Sequence, residues 1–148
     1  MPGWLKVLLI IVVILVLLVV GVIGAGVFWW SRNKDAVIGR LKEVGTQGKD
    51  FGGHSDNQGC VDESLNRYKK DPGISSAIST SIFMRTCLDA SHATVGFCDN
   101  VPKPTEFMRA GEWRRQMCNR YDLSKDSYCQ QLFQPVQEYC IKRQSTGQ

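Results

Sequence analysis

An uninterrupted apolar stretch near the start of the chain constrains the fold more than any other feature. Residues 7–28 contain no charged or polar side chain. As an α-helix, which rises 1.5 Å per residue, the stretch reaches about 33 Å and exceeds the roughly 30 Å hydrocarbon core of a bilayer. The sequence therefore predicts one transmembrane helix over residues 4–30, preceded by a short N-terminal tail of residues 1–3.

Aromatic and basic residues mark both ends of this helix. Trp4 stands at its start and Trp29 and Trp30 at its end, where amphipathic rings prefer the headgroup region. Lys6 and Arg32 lie close to these rings, and long basic side chains extend toward the membrane surface from such positions. We expect these residues to anchor the helix and the lipid bilayer to be a partner of the chain.

Small residues within the apolar stretch allow two further interpretations. Gly21 and Ala25 are four residues apart, a spacing that lets another helix approach closely, although glycine is common in membrane helices in any case. Residues 24–26, Gly-Ala-Gly, also offer a cleavage site for a signal peptide. Because the apolar stretch is longer than an ordinary signal sequence and continues past that site, we favour a retained signal anchor.

The cysteines indicate a disulfide framework. All six follow the apolar stretch, and an even number of cysteines in a small domain is typical of proteins in an oxidising compartment. They are Cys60, Cys87, Cys98, Cys118, Cys129 and Cys140.

The flanking charges and the cysteines disagree about orientation. Only Lys6 and the terminal amine precede the helix, whereas several basic residues follow it, and this distribution favours a cytoplasmic C-terminal domain. Disulfides require an oxidising compartment and therefore favour a C-terminal domain outside the cytoplasm. We give the cysteines more weight, because folded domains can be translocated despite flanking charge. The expected topology is a cytoplasmic N-terminus and a periplasmic, lumenal or extracellular C-terminal domain.

The composition of the chain after the membrane helix indicates four further segments. Residues 31–44 carry apolar side chains at helical spacing and are expected to form an amphipathic juxtamembrane segment. Residues 45–59 are rich in glycine and are expected to form a flexible linker. A Cys-rich helical domain is predicted for residues 60–143 and a C-terminal tail for residues 144–148.

Helical periodicity within the Cys-rich domain predicts a small all-α bundle. We expect helices over residues 61–70, 75–90 and 105–121, with a fourth helix that begins after an N-cap at Ser124 and bends at Pro135. A loop that holds Gly96, Cys98, Pro102 and Pro104 separates the second and third helices. The predicted inner face of the second helix comprises Ile74, Ala77, Ile78, Ile82, Cys87 and Leu88. The predicted inner face of the third comprises Phe107, Ala110, Trp113, Met117, Cys118 and Tyr121. The stripe on the fourth comprises Tyr128, Cys129, Leu132, Phe133, Val136, Tyr139 and Cys140.

Helix geometry suggests how the cysteines pair. Cys129 and Cys140 share a face of the fourth helix but lie about 16 Å apart along it, too far for a disulfide. Cys60 and Cys87 meet across the first helical hairpin, and Cys118 and Cys129 flank the second turn closely. The hypothesis is therefore Cys60–Cys87, Cys118–Cys129 and Cys98–Cys140.

No catalytic, cofactor or metal site is predicted. There is no close cysteine pair of the kind that binds zinc or performs thiol redox chemistry, and His54 and His92 stand outside any recognisable motif. The net charge of +4 is too small and too scattered for a nucleic-acid binder, and no small-molecule substrate is indicated. The third helix is expected to expose a basic face that comprises Arg109, Arg114, Arg115 and Arg120. This face is either solvated or contacts an acidic partner.

The expected function is that of a membrane-anchored interaction or assembly module, not an enzyme. Trp113 and Tyr139 are candidates either for the core or for an interface with a protein partner near the membrane. The alternative is a thiol-redox or metal-handling membrane protein that uses unpaired cysteines.

Overall fold

The computed structural model describes residues 2–103 and 105–146 and is all-helical, as predicted. Met1, Pro104 and the last two residues of the predicted C-terminal tail lie outside the described residues. The helices are α1 (Gly3–Gly52), α2 (Asn57–Lys70), α3 (Ile74–Ala90), α4 (Phe107–Arg120), α5 (Cys129–Leu132) and α6 (Gln134–Ser145). The chain forms two compact units, Met1–Arg40 and Leu41–Gln148, which are called unit 1 and unit 2 below.

Unit 1 is the apolar part of α1. The helix is long and apolar enough to cross a membrane, and none of its most apolar window is buried. The side chains of Trp4, Trp29 and Trp30 are each more than half exposed. The Arg32 guanidinium lies 4.9 Å from the centre of the Phe28 ring. An N-terminal helix of this kind is suited to a membrane anchor or a signal sequence.

The last turns of α1 belong to unit 2 and differ from the flexible linker predicted for residues 45–59. Residues 45–52 are helical, and Gly48 and Gly52 are buried. A Cβ atom at Gly48 would lie 2.5 Å from the carbonyl oxygen of Phe83, and one at Gly52 would collide with the carbonyl oxygen of Cys87. These glycines therefore let two helices approach closely, and unit 2 begins at Leu41 rather than at residue 60.

Helices α2 and α3 form the predicted antiparallel hairpin. Helix α2 starts four residues before its predicted start, because Asp56 caps it by accepting a hydrogen bond from the Gly59 N–H at 2.8 Å. The predicted inner face of α3 is partly wrong, since Ile74 and Ile78 are exposed and Ile82 is only partly buried. The buried residues of α3 are Ala77, Thr80, Phe83, Met84, Cys87 and Leu88.

The predicted fourth helix is split rather than bent. Residues 121–128 form turns, so Ser124 is not an N-cap, and α5 and α6 are separated at Phe133. Pro135 lies in the first turn of α6, where its missing N–H has no helical partner to lose. In α4, Phe107 is exposed although it was predicted to face inward, while Ala110 and Cys118 are buried.

Three disulfides connect the helices in the predicted pattern. Cys60–Cys87 joins α2 to α3, Cys118–Cys129 joins α4 to α5, and Cys98–Cys140 joins the long loop to α6, with Cα–Cα distances of 5.7, 5.9 and 5.3 Å. No cysteine is free. The disulfides lie within the apolar core of unit 2, whose largest fully buried side chains include Tyr68, Phe83, Phe133, Leu65 and Met84. They are consistent with an oxidising compartment.

Candidate interaction cleft

The buried amide of Asn57 fixes one end of the loop between α3 and α4. Its Nδ2 donates to Ser91 Oγ at 2.7 Å and to Tyr139 Oη at 3.1 Å, and its Oδ1 accepts from the Thr94 N–H at 2.9 Å. The Asn57 N–H also donates to the His92 carbonyl at 3.1 Å. Because the buried amide has partners at the C-cap of α3, in the loop and in α6, it fixes the relative positions of these three segments.

The other end of the loop is attached to α6. Cys98 is bonded to Cys140, and the Phe97 ring meets the Tyr139 ring edge to face with centroids 6.1 Å apart. Gln137 is buried and donates from Nε2 to the Pro102 carbonyl at 3.1 Å. Gly96 turns the loop with a φ of 76°, which a glycine adopts without strain. Residues 94–102 are thereby held as a fixed wall.

Helix α4 supplies the facing wall. Trp113 is half-buried, and its ring packs edge to face on Phe133 with centroids 6.0 Å apart. Met117 follows one turn later and packs against the same core. Both were predicted to face inward, and each keeps part of its surface exposed. An indole held in this way presents a rigid apolar face.

Tyr121 positions the polar edge contributed by α2. The Tyr121 hydroxyl donates to Asp62 Oδ1 at 2.9 Å and accepts from Gln58 Nε2 at 2.8 Å. Burial, together with the hydrogen bond to the Asp62 carboxylate, raises the pKa of Tyr121 to about 12. The phenol stays protonated at neutral pH, and together with Asp62 it holds the Gln58 amide, whose Nε2 donates to both residues.

The loop, α4 and α2 border an open cleft of about 310 Å³, a volume within the size range of binding pockets. Polar and apolar side chains both line it, and the polar residues Gln58, Asp99 and Arg120 are exposed. The apolar lining residues are buried or half-buried and comprise Val61, Phe97, Val101, Trp113, Met117 and Val136. Val95 stands fully exposed at the edge, and the Thr94 hydroxyl, also in the lining, is buried without a hydrogen-bond partner. The arrangement suits an apolar group flanked by polar ones.

Apolar surface continues on the other side of Trp113. A second depression of about 480 Å³ shares this indole and is lined by Pro102 and Met108. The Met108 side chain is 88 % exposed, and the neighbouring Phe107 is 81 % exposed. Trp113 therefore lines two depressions, and the second also contains the polar residues Asn100, Arg109, Glu112 and Gln116.

The predicted basic face of α4 is only partly exposed. Arg109 is paired with Glu106 at 2.6 Å, and Arg115 is paired with Glu112. Arg114 is partly buried and donates from Nε to the Ala110 carbonyl at 3.3 Å. Arg120 stands on the rim of the cleft, so it is the arginine best placed to meet a carboxylate there.

The remaining candidate residues lie elsewhere. His54 and His92 are exposed, and the described residues contain no group of three or more potential metal-binding side chains. Gly21 and Ala25 lie in the apolar part of α1, where nothing is within 4 Å of a Cβ placed at Gly21. All six sulfurs are bonded, so the thiol-redox alternative requires that a disulfide first be reduced.

Sequence reasoning missed the cleft as a site. It identified Trp113 as a residue of the core or of an interface, but it gave no role to Gln58, Val95 or Thr94. Those residues come from α2 and from an irregular loop, and helical periodicity carries no signal for either contribution. The signal available in the sequence was an apolar residue, Val95, beside Gly96 in a loop that also contains cysteine and proline.

No protein-family model, curated protein or solved structure matches the chain.

Proposed function

We propose that the chain is a membrane-anchored protein-interaction module, without enzymatic activity, whose disulfide-bonded domain lies outside the cytoplasm. In this proposal the cleft beside Trp113 receives an apolar side chain of a partner polypeptide, and Arg120 meets a carboxylate near that side chain.

The composition of the cleft is the observation that carries the proposal. Buried or half-buried apolar side chains lie beside exposed polar ones, and protein interfaces likewise combine an apolar core with polar surroundings. Tryptophan and arginine are the residues most enriched among those that dominate binding energy, and both line this cleft. The second depression, which is lined by Trp113 and the exposed Met108, extends the surface beyond the size of a small ligand.

The way in which the walls are held supports binding rather than chemistry. The loop wall is fixed by a disulfide, a buried amide and an aromatic contact, so little conformational freedom is lost when a partner binds. The lining contains no nucleophile with a base in contact, which a hydrolytic or transfer reaction would require.

The proposed orientation rests on the three disulfides. They stabilise unit 2 only where an oxidising environment maintains them, so the chain is proposed to lie with its N-terminus in the cytoplasm and α1 retained as a signal anchor. Protease protection of sealed membranes, with an epitope tag at the C-terminus, tests this topology. A cytoplasmic tag combined with six free thiols would overturn the proposal.

Tryptophan fluorescence tests the cleft. In the full-length variant W4F/W29F/W30F, Trp113 is the only tryptophan, so its emission reports directly on the cleft. The protein, reconstituted in lipid nanodiscs, is titrated with short glycine-serine peptides that carry one central leucine or phenylalanine beside a glutamate. We expect a saturable shift of the Trp113 emission.

Matched peptides and variants give the controls. A central alanine should abolish the response, and replacing the glutamate by lysine should weaken it. Arg120→Gln should remove the preference for glutamate, whereas Arg115→Gln, on the same helix but paired with Glu112, should not. The absence of a saturable response to every peptide, with the disulfides intact, would contradict the proposed binding role.

A further inference from the structure

The end of α1 runs in the same direction as α3. Gly45 lies beside Ile82 and Thr86, Gly48 beside Phe83 and Thr86, and Gly52 beside Cys87, so α1 crosses α3 in the same general direction. The Arg67 guanidinium, near the end of α2, donates to Gln47 Oε1 at 2.9 Å and lies 4.0 Å from the centre of the Phe83 ring. The start of the unit 2 part of α1 therefore lies nearer to the α2–α3 turn than Gly52 does.

Exposed isoleucines lie at this end. Ile74 and Ile78 are one turn apart on α3, and their side chains are 62 % and 52 % exposed. Lys69 and Lys70 are exposed on the adjoining end of α2, followed by exposed Asp71. The residues Lys69, Lys70, Ile74 and Ile78 are called the turn patch below. Large aliphatic side chains in water are unfavourable, and the described residues of unit 2 leave more than half of each of these two exposed.

We propose that the turn patch rests on the bilayer that holds α1, with Ile74 and Ile78 inserted at the headgroup level and Lys69 and Lys70 directed to anionic lipid. The proposal rests on retention of α1 as a membrane anchor, and it is independent of the cleft.

Chain connectivity favours lipid as the occupant. Leu41 follows Trp30 by a segment that reaches at most about 40 Å when extended and about 16 Å as a helix. The end of unit 2 from which the chain leads to the membrane is therefore held near the bilayer surface, and the turn patch lies at that end. Aliphatic side chains beside lysines are the composition that binds membrane interfaces, and lysines near an anionic surface strengthen that binding.

Photo-crosslinking of the full chain in proteoliposomes tests the proposal. The photoreactive residue p-benzoylphenylalanine replaces Ile74, Ile78, Val95 or Ile23 in separate variants, and lipid adducts are measured by intact-protein mass spectrometry. Ile23 in the apolar part of α1 is the positive control. Val95 is fully exposed on the cleft and serves as the matched control for an exposed residue outside the turn patch.

Adduct yields at 74 and 78 should be severalfold higher than at 95 and should rise when phosphatidylglycerol is added to phosphatidylcholine. Lys69→Gln with Lys70→Gln should remove that rise. Yields at 74 and 78 equal to the yield at 95, with Ile23 modified normally, would overturn the proposal while leaving the anchor intact.

Two other outcomes would also overturn it. Crosslinked dimers at 74 and 78 in place of lipid adducts would assign the turn patch to a second copy of the chain. Failure of the Ile23 position to form adducts would show that α1 is not in the bilayer, and it would remove the anchor and the turn-patch proposal together.

Discussion

Gly52 at the end of α1 lies directly against the carbonyl group of Cys87 in α3, so that the two helices meet backbone to backbone beside a disulfide. Three glycines on this part of α1 face α3, and they differ in how closely they approach it. The difference supplies a test of whether the glycine-rich segment is a packed helix or a flexible linker.

Substitution of these glycines by alanine should have opposite effects. Gly48→Ala and Gly52→Ala place a methyl group against backbone atoms of Phe83 and Cys87, which should lower the free energy of unfolding by about 1–3 kcal/mol. Gly45→Ala is the matched control, because its nearest neighbour would be 3.7 Å away. That change should raise stability by about 0.5–1 kcal/mol through helix propensity. Chemical unfolding followed by circular dichroism measures all three, and equal effects would favour a flexible linker.

The amide of Asn57 should be costly to remove. Asn57→Ala leaves the Thr94 N–H without its acceptor and opens a gap among Ser91, Thr94 and Tyr139. We expect a loss of about 2–3 kcal/mol, since buried unsatisfied polar groups cost about 1–3 kcal/mol each. Asn66→Ala, on the exposed side of the same helix, should be nearly neutral. Hydrogen exchange should also rise in the loop of the Asn57 variant, and an unchanged loop would contradict the role assigned to this amide.

Removal of individual disulfides should follow the length of chain that each one closes. The bonds span 27, 42 and 11 residues for Cys60–Cys87, Cys98–Cys140 and Cys118–Cys129. The entropy model gives about 4 kcal/mol for the longest and about 3 kcal/mol for the shortest. Paired cysteine-to-serine variants, unfolded in denaturant, test this order. Only the variant without Cys98–Cys140 should become sensitive to proteolysis within residues 94–102, and sensitivity in all three would argue against a loop held by that bond.

Two tyrosines should make the fold sensitive to alkaline pH. Burial and the hydrogen bond to Asp126 raise the pKa of Tyr68 to about 12, and burial with the Asp62 hydrogen bond does the same for Tyr121. An unfolded tyrosine titrates near pH 10, so between about pH 10 and 12 the folded state binds more protons. Stability from these groups is therefore fully present below about pH 10 and falls as the pH rises toward 12.

Denaturant unfolding at a series of pH values measures this loss. Tyr121→Phe and Tyr68→Phe should each make the decline between pH 10 and 12 shallower, because each removes one group whose pKa differs between the two states. A decline of unchanged steepness in both variants would show that the phenols are not its cause.

The disulfide pairing was predictable because it depends on helix order and turn position. Once Cys129 and Cys140 are placed on one helical stripe, they cannot bond each other, and hairpin geometry then orders the rest. The split at Phe133 changed the helix boundaries but left each cysteine next to its partner. Local errors of this size do not alter which helices face each other.

Neither the packed end of α1 nor the outward direction of Ile74 and Ile78 was predictable, and the physical reason is the same for both. The role of Gly48 and Gly52 depends on Phe83 and Cys87, which lie more than thirty residues later, and composition alone cannot distinguish a close helix contact from a linker. Likewise, Ile74 and Ile78 fit an inward-facing stripe, but the direction of the core is set by which helices surround α3. Contacts between distant segments decide both cases.

The bond between Cys98 and Cys140 also sets an order of events during synthesis. Cys98 must remain unpaired until a further 42 residues have been added and its partner has reached the same compartment. The loop that forms one side of the cleft is therefore completed only when α6 is present. A chain truncated before Cys140 lacks this bond, so in the proposed topology the cleft is complete only after α6 has crossed the membrane.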